Sequence, residues 1–188
     1  ACCGRIRVDM DVHTRIGEDG QPESAAQPFR VLFVCLGNIC RSVAAEITFN
    51  AAVQEAGLAD HVEADSCGTA AYHVGEEPDS RMLAALERAG FTYNGPRGRQ
   101  FSRRDFAAFD LIVPQDEFNE QDILSLSRNS ADAARVRGMW QWFAADERER
   151  SVPDPYYGGP EGFDAVVALL TRSIRKLVAE LKDKLIQA

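Results

Sequence analysis

A chain of 188 residues, 45% hydrophobic and 27% charged, is long enough to bury one real core and too short for a second catalytic domain. Its formal net charge of −8 argues against a nucleic-acid or anionic-membrane partner, which would select clustered Lys and Arg, so any anionic ligand must be held by local donors. No apolar run approaches the roughly 18 residues of a bilayer span, and no basic segment followed by an apolar one opens the chain, so a soluble, cytoplasmic protein is expected.

Residues 1–28 are polar, acidic and turn-rich, with Gly17, Gly20, Pro22 and Pro28, and read as a mobile arm ahead of a single domain over 29–188. The cysteines, at 2, 3, 35, 40 and 67, are odd in number and match neither a zinc spacing nor a disulfide framework, so reduced thiols are expected, Cys2 and Cys3 among them. His13, His61 and His73 share no ligand spacing, and no metal or cofactor is expected.

Within the domain, Val31 to Val34 form an apolar run of the kind a buried parallel strand requires, and Val43 to Ala56 suit a helix closed by Gly57. His61 to Ser66 reads as a second strand, and Asp79 to Ala89 as a helix stopped by Gly90. Ser102 with Asp105 resembles a capping box for a short helix, Phe109 to Val113 is a third strand, and Asp116 is placed to cap the helix that follows. Arg135 to Phe143 is expected as a fourth strand, with Trp140 and Trp142 packing from it. Pro160 then opens a long helix whose apolar stripe runs from Phe163 to Leu185 at three- and four-residue steps. The alternation implies an α/β fold, a four-stranded parallel doubly wound sheet of flavodoxin-like order with helices on both faces.

The stretch Cys35-Leu36-Gly37-Asn38-Ile39-Cys40-Arg41-Ser42 joins the first strand to the first helix. In open α/β sheets the carboxyl ends of strands face the ligand, and a helix amino terminus there offers free N–H groups and partial positive charge to an anion. Arg41, six residues after Cys35, adds a planar fork that can hold two phosphate oxygens. One loop thus contains a nucleophile, N–H donors and a cationic clamp, the three parts phosphoryl transfer needs. An ordinary thiol is only a few per cent ionised at neutral pH, and a helix terminus with nearby cations favours the attacking thiolate. Ser42 can donate a hydroxyl proton to the sulfur, and Asn38 can hold the loop in a turn that other residues resist. Asp154 lies between Pro153 and Pro155, which keep it out of helix, and is the candidate general acid for a phenolate leaving group.

Through the Cys35 to Ser42 loop and the Asp154-Pro155-Tyr156-Tyr157 stretch, the chain resembles the low-molecular-weight protein tyrosine phosphatases. Further matches are Ser66 to Thr69, Gly75, Asp79, Arg81, Asp105, Phe106, Phe109, Asp110, Asp116 and Asn119, so the resemblance covers roughly residues 30–185. It departs at Val43, where the family usually has proline, and at Pro114-Gln115 before Asp116.

The resemblance implies hydrolysis of phosphotyrosine in protein substrates through a cysteinyl-phosphate, with Cys35, Arg41 and Asp154 reacting. It also implies that Leu36, Gly37, Asn38, Ile39, Cys40 and Ser42 line the phosphate site, and that Tyr72, Tyr156 and Tyr157 form aromatic walls. Phosphoarginine enzymes of similar loop carry threonine at the Ile39 position, so an apolar Ile39 is expected to favour an aryl group. Cys40 is expected to trap an oxidised Cys35 as a disulfide. Two rival readings are a thioredoxin-coupled arsenate reductase, which would need cysteines after Cys67 that the chain lacks, and a silent phosphate-binding module, which has no use for Asp154.

Overall fold

From Val31 onward β1 (Phe29–Cys35) is buried on both faces, which is why that part of its sequence is an unbroken apolar run and not an alternation. The computed structural model describes residues 27–145 and 149–187, so the reading of the arm, Cys2 and Cys3 included, falls almost wholly outside the described residues. β2 (Val62–Gly68) and β3 (Leu111–Pro114) pair with β1 in parallel on either side, in the order β2-β1-β3, and the register sets Cys35 opposite Gly68.

Side chains leave β1 alternately to two cores. Val31 and Phe33 join α1 (Arg41–Glu55), α2 (Ser80–Arg88) and α6 (Pro160–Gln187), while Leu32 and Val34 meet Phe106 of α3 (Asp105–Ala108) and Ile123 of α4 (Glu117–Ser125). A short α5 (Ser130–Ala134), not expected from the sequence, is capped by Asn129. Helices therefore cover both faces of the sheet. The stripe of α6 packs as its spacing predicts, with Phe163, Val166, Leu170, Ile174, Leu177 and Leu181 all buried.

The helix ends follow local chemistry. Asp79 and Asp116 accept hydrogen bonds from the N–H groups of Arg81 and Asn119, and Gly57 and Gly90 take the left-handed conformation just past α1 and α2. Of the expected capping box, the acidic half forms: Asp105 accepts from the Ser102 N–H at 2.7 Å. α1 starts at Arg41, two residues before the expected Val43, so the clamp residue and Ser42 sit in its first turn while Val43 packs in the core.

The fourth strand is corrected. Only Val136 bridges to β3, opposite Ile112, and the chain then turns at Gly138 into a 3₁₀ helix, Met139–Trp142. The reason lies in the polarity of β3. Ile112 donates its N–H to Arg135 and accepts from Arg137, so the next group facing that edge belongs to residue 114, a proline with no N–H to give. Past that point the segment is held by side chains instead: Trp142 Nε1 and Arg137 both donate to Glu180 of α6, and the Arg137 guanidinium lies over the Trp142 ring.

Candidate active site

The loop after β1 turns on Asn38, the one non-glycine residue with positive φ (57°) among the described residues. Asparagine is tolerated there because its short amide can bond locally, and here the amide is bonded on three sides. Its Oδ1 accepts from the Arg99 N–H at 2.9 Å, and its Nδ2 donates to Ser42 Oγ at 3.0 Å and to Ser66 Oγ at 2.9 Å. The turn sets the Asn38 N–H 3.3 Å from Cys35 Sγ, and Ser42 Oγ lies 3.1 Å from the same sulfur. Because Ser42 already accepts from Asn38, its proton is free to point at Cys35.

The network continues behind the loop to Glu46 of α1, which accepts from Ser66 Oγ at 2.6 Å. Burial pushes the Glu46 carboxyl up to about 7, against the hydrogen bond from Ser66 and with Asp65 adding to the rise while Arg99 opposes it. At the other edge of the loop, Gly68 allows a close backbone approach: a methyl group there would come 2.7 Å from the Leu36 carbonyl oxygen and 3.1 Å from the Asn38 nitrogen.

Arg41 is buried, and its two terminal nitrogens reach different loops. Nη1 donates to Asp116 Oδ2 at 2.6 Å and to the Val152 carbonyl, and Nη2 to Asp154 Oδ2 at 3.1 Å. Burial works against its charge, but Cys35, Asp154 and Asp116 outweigh that, so its pKa is raised. Asp116 serves two elements at once, since its Oδ1 caps α4. The Asp154 loop is tied down by Arg81, which donates to the Tyr156 carbonyl at 3.0 Å, is held by Asp79, and lies over the Tyr156 and Phe163 rings.

The sequence-derived residues separate here. Cys35, Asn38 and Ser42 form one hydrogen-bonded group, and Arg41 and Asp154 form an ion pair of their own. Tyr156 and Tyr157 meet edge to face at 5.0 Å between centroids, with Tyr157 almost fully exposed. Tyr72 points largely to solvent, and the ring from its loop that meets Tyr156 is that of His73, at 6.5 Å. Leu36 is exposed in the cleft, and Gly37 lies against His73. Ile39 and Cys40 are buried in the core with α1, so the Ile39 side chain is not a wall of the cleft. Arg81 was matched to the family from sequence without a role, while Glu46, Arg99 and His73 were not found, because Glu46 and Arg99 meet the loop through residues twenty or more positions away and His73 meets Tyr156 across the cleft.

A thiol at a strand end that meets the Asn38 N–H and the Ser42 hydroxyl, with a buried arginine at the start of the helix that follows, is an arrangement of the cysteine-dependent phosphatase type on an α/β fold. The family described as low molecular weight phosphotyrosine protein phosphatase matches residues 30–187, and the chain belongs to it. It is accordingly an enzyme, a protein-tyrosine phosphatase. The low molecular weight protein-tyrosine-phosphatase of Streptomyces coelicolor is 39% identical, over 83% of this chain and 95% of its own. The low molecular weight phosphotyrosine protein phosphatase of Schizosaccharomyces pombe is 42% identical, over 71% of this chain and 85% of its own. A crystal structure of protein tyrosine phosphatase from Entamoeba histolytica with Hepes in the active site superposes with a TM-score of 0.79, at 33% identity, over 83% of this chain and 98% of that one.

Two outcomes follow from this geometry. Gly68→Ala must displace the Leu36–Asn38 backbone, so kcat/KM for p-nitrophenyl phosphate should fall at least about tenfold while the far-UV spectrum is kept, because misplacement of about 1 Å can cost 100-fold. An unchanged rate would mean that the loop tolerates the shift. The second concerns Glu46, whose carboxyl is raised in the folded state to about 7. A raised pKa contributes stability that is complete below the unfolded value and lost as pH rises through the folded one. Glu46→Gln should therefore gain about 2–3 kcal/mol on the parent between pH 5 and pH 8 in denaturant unfolding, and a difference independent of pH would contradict the assignment.

Proposed function

We propose that the protein hydrolyses phosphotyrosine in protein substrates through a cysteinyl-phosphate on Cys35. The observation that carries this reading is the Arg41 guanidinium, one end of which is fixed by Asp116 while the other meets Asp154 at 3.1 Å in the loop that starts with Cys35. That pairing brings a group able to clamp phosphate and a group able to act as acid to the same loop that begins at Cys35.

In the proposed reaction the phosphate's equatorial oxygens take the loop N–H groups and the Arg41 fork, which leaves phosphorus in line with Cys35 Sγ. Sulfur attacks, the bond from phosphorus to the tyrosyl oxygen breaks, and Asp154 gives its proton to the departing phenolate, a step typically worth about 100- to 10,000-fold. Asp154, now a carboxylate, takes a proton from water as that water attacks the thiophosphate. The sulfur–phosphorus bond then breaks, releasing inorganic phosphate and the thiolate, to which the Ser42 hydroxyl and the Asn38 N–H donate. Walls from Tyr156, Tyr157 and His73 suit a flat aryl ester, and a shorter phosphoserine would leave them unfilled.

Cys40 adds a redox role. Burial, then the charges of Asp79, Cys35 and Asp154, raise its pKa, so it stays a thiol. Peroxide oxidises the Cys35 thiolate to a sulfenic acid, and the Cys40 sulfur then displaces its hydroxyl as water to form a disulfide. Cys35, Cys40 and Cys67 are all free thiols, consistent with a reducing compartment such as the cytoplasm.

Cys35→Ser should retain phosphate binding and keep less than one per cent of turnover, and more would remove Cys35 as nucleophile. Asp154→Asn should slow phenyl phosphates far more than esters whose leaving group is already a weak base, whereas equal losses would remove Asp154 from the acid role. Phosphotyrosine peptides should lead phosphoserine and phosphoarginine peptides by at least about 100-fold in kcat/KM, and comparable values would show that no aryl group is being selected. After a peroxide pulse and dithiothreitol, Cys40→Ser should recover less activity than the parent protein. Equal recovery would end the protective role.

A further inference from the structure

Beside the phosphate loop lies a cavity of about 420 Å³ whose walls include Arg41 and Asp154 from the site itself, Leu36 from the loop and the first turns of α4. It opens off the site, so what fills it is the part of a substrate next to the phosphorylated side chain. Two features of the wall are unexplained by phosphate chemistry. Phe118 is 76% exposed at this mouth, an aromatic face open beside the anion site. Asp122 stands one helical turn further along the same face of α4, and both side chains line the cavity.

The charges of the cavity are mostly taken. Asp116 and Asp154 are bound to Arg41, and Glu117 pairs with Arg150 at 3.2 Å, while the Arg150 guanidinium also lies over the Trp140 ring. Asp122 is left, among the described residues, with no cation against its carboxylate. An aromatic ring and a carboxylate one turn apart suit a side chain with an apolar stem and a cationic, stackable tip, and that side chain is arginine. We propose that Phe118 and Asp122 determine specificity by holding an arginine of the substrate near its phosphotyrosine. This rests on the phosphotyrosine phosphatase reading and narrows it to substrates carrying a basic residue beside the phosphorylated one. An acidic residue in that place would meet Asp122 and the uncompensated charge of the chain as a whole.

The test is a set of phosphotyrosine peptides in an alanine background. Arg, Ala or Glu is placed in turn at each of the three positions on either side, and kcat/KM is measured for the parent, Phe118→Ala and Asp122→Asn. At one position Arg should exceed Glu by about tenfold, which is what a stacked cation and one partly exposed carboxylate contribute together. Each variant should cut that ratio to below about threefold. Ratios are taken within each protein, so a general loss of activity or folding cancels. An Arg-to-Glu ratio within twofold at every position, or one that both variants leave unchanged, overturns the proposal. p-Nitrophenyl phosphate, which has no flanking residue, separates the two levels. Normal turnover of it with a flat peptide profile ends the flanking-site proposal alone, and no turnover of it or of any peptide ends the phosphatase reading as well.

Discussion

The hydrogen bonds from one amide hold the site together. Asn38 takes a backbone conformation that costs most residues about 1–2 kcal/mol, and its side chain is bonded to Ser42, Ser66 and the Arg99 backbone. Those partners belong to α1, β2 and the segment after α2, so the curvature of the loop is set by three separate parts of the fold. The direction of each bond follows from the first. Asn38 donates to both hydroxyls, so the Ser42 proton is left for the sulfur and the Ser66 proton for Glu46. The same turn brings the Asn38 N–H to 3.3 Å from the Cys35 sulfur.

Charge organises the opposite rim. Arg41 is buried at the start of α1 and reaches the Asp154 segment, 113 residues away in the chain. Asp116 fixes the orientation of its guanidinium while capping α4, so Arg41 and the start of α4 share one carboxylate. Arg81 ties the Asp154 loop to α2 through the Tyr156 carbonyl. The walls are less constrained, as the exposure of Tyr157 and Tyr72 shows, and it is on this outer surface that Phe118 and Asp122 lie.

Much of this was legible because it is local. The run Val31 to Val34, the six-residue step from Cys35 to Arg41, the proline-flanked Asp154 and the stripe of α6 each signal their role within a few residues. Even the positive φ at Asn38 is hinted at by residue type. The relay through Ser66 to Glu46 was not legible, because it joins residues twenty apart by side chains alone, and Glu46 reads as one more polar residue on a helix. Tyr72 was named as a wall through the resemblance, whereas the path of the loop turns it to solvent and sets His73 against Tyr156. Ile39 was expected to line the phosphate site, whereas its side chain is buried in the core with α1. The absent fourth strand had a signal in Pro114, whose missing N–H matters only once the outer edge of β3 is known to need it.

The central claim is that the substrate's phosphoryl group passes through Cys35. It is tested most directly by rapid acid quench of the protein turning over ³²P-labelled phosphotyrosine peptide, followed by mapping of the label. The account predicts an acid-stable phosphate on the peptide containing Cys35, formed at a rate no slower than turnover and absent in Cys35→Ser. Label on another residue, or full turnover with no labelled protein at any quench time, would contradict it.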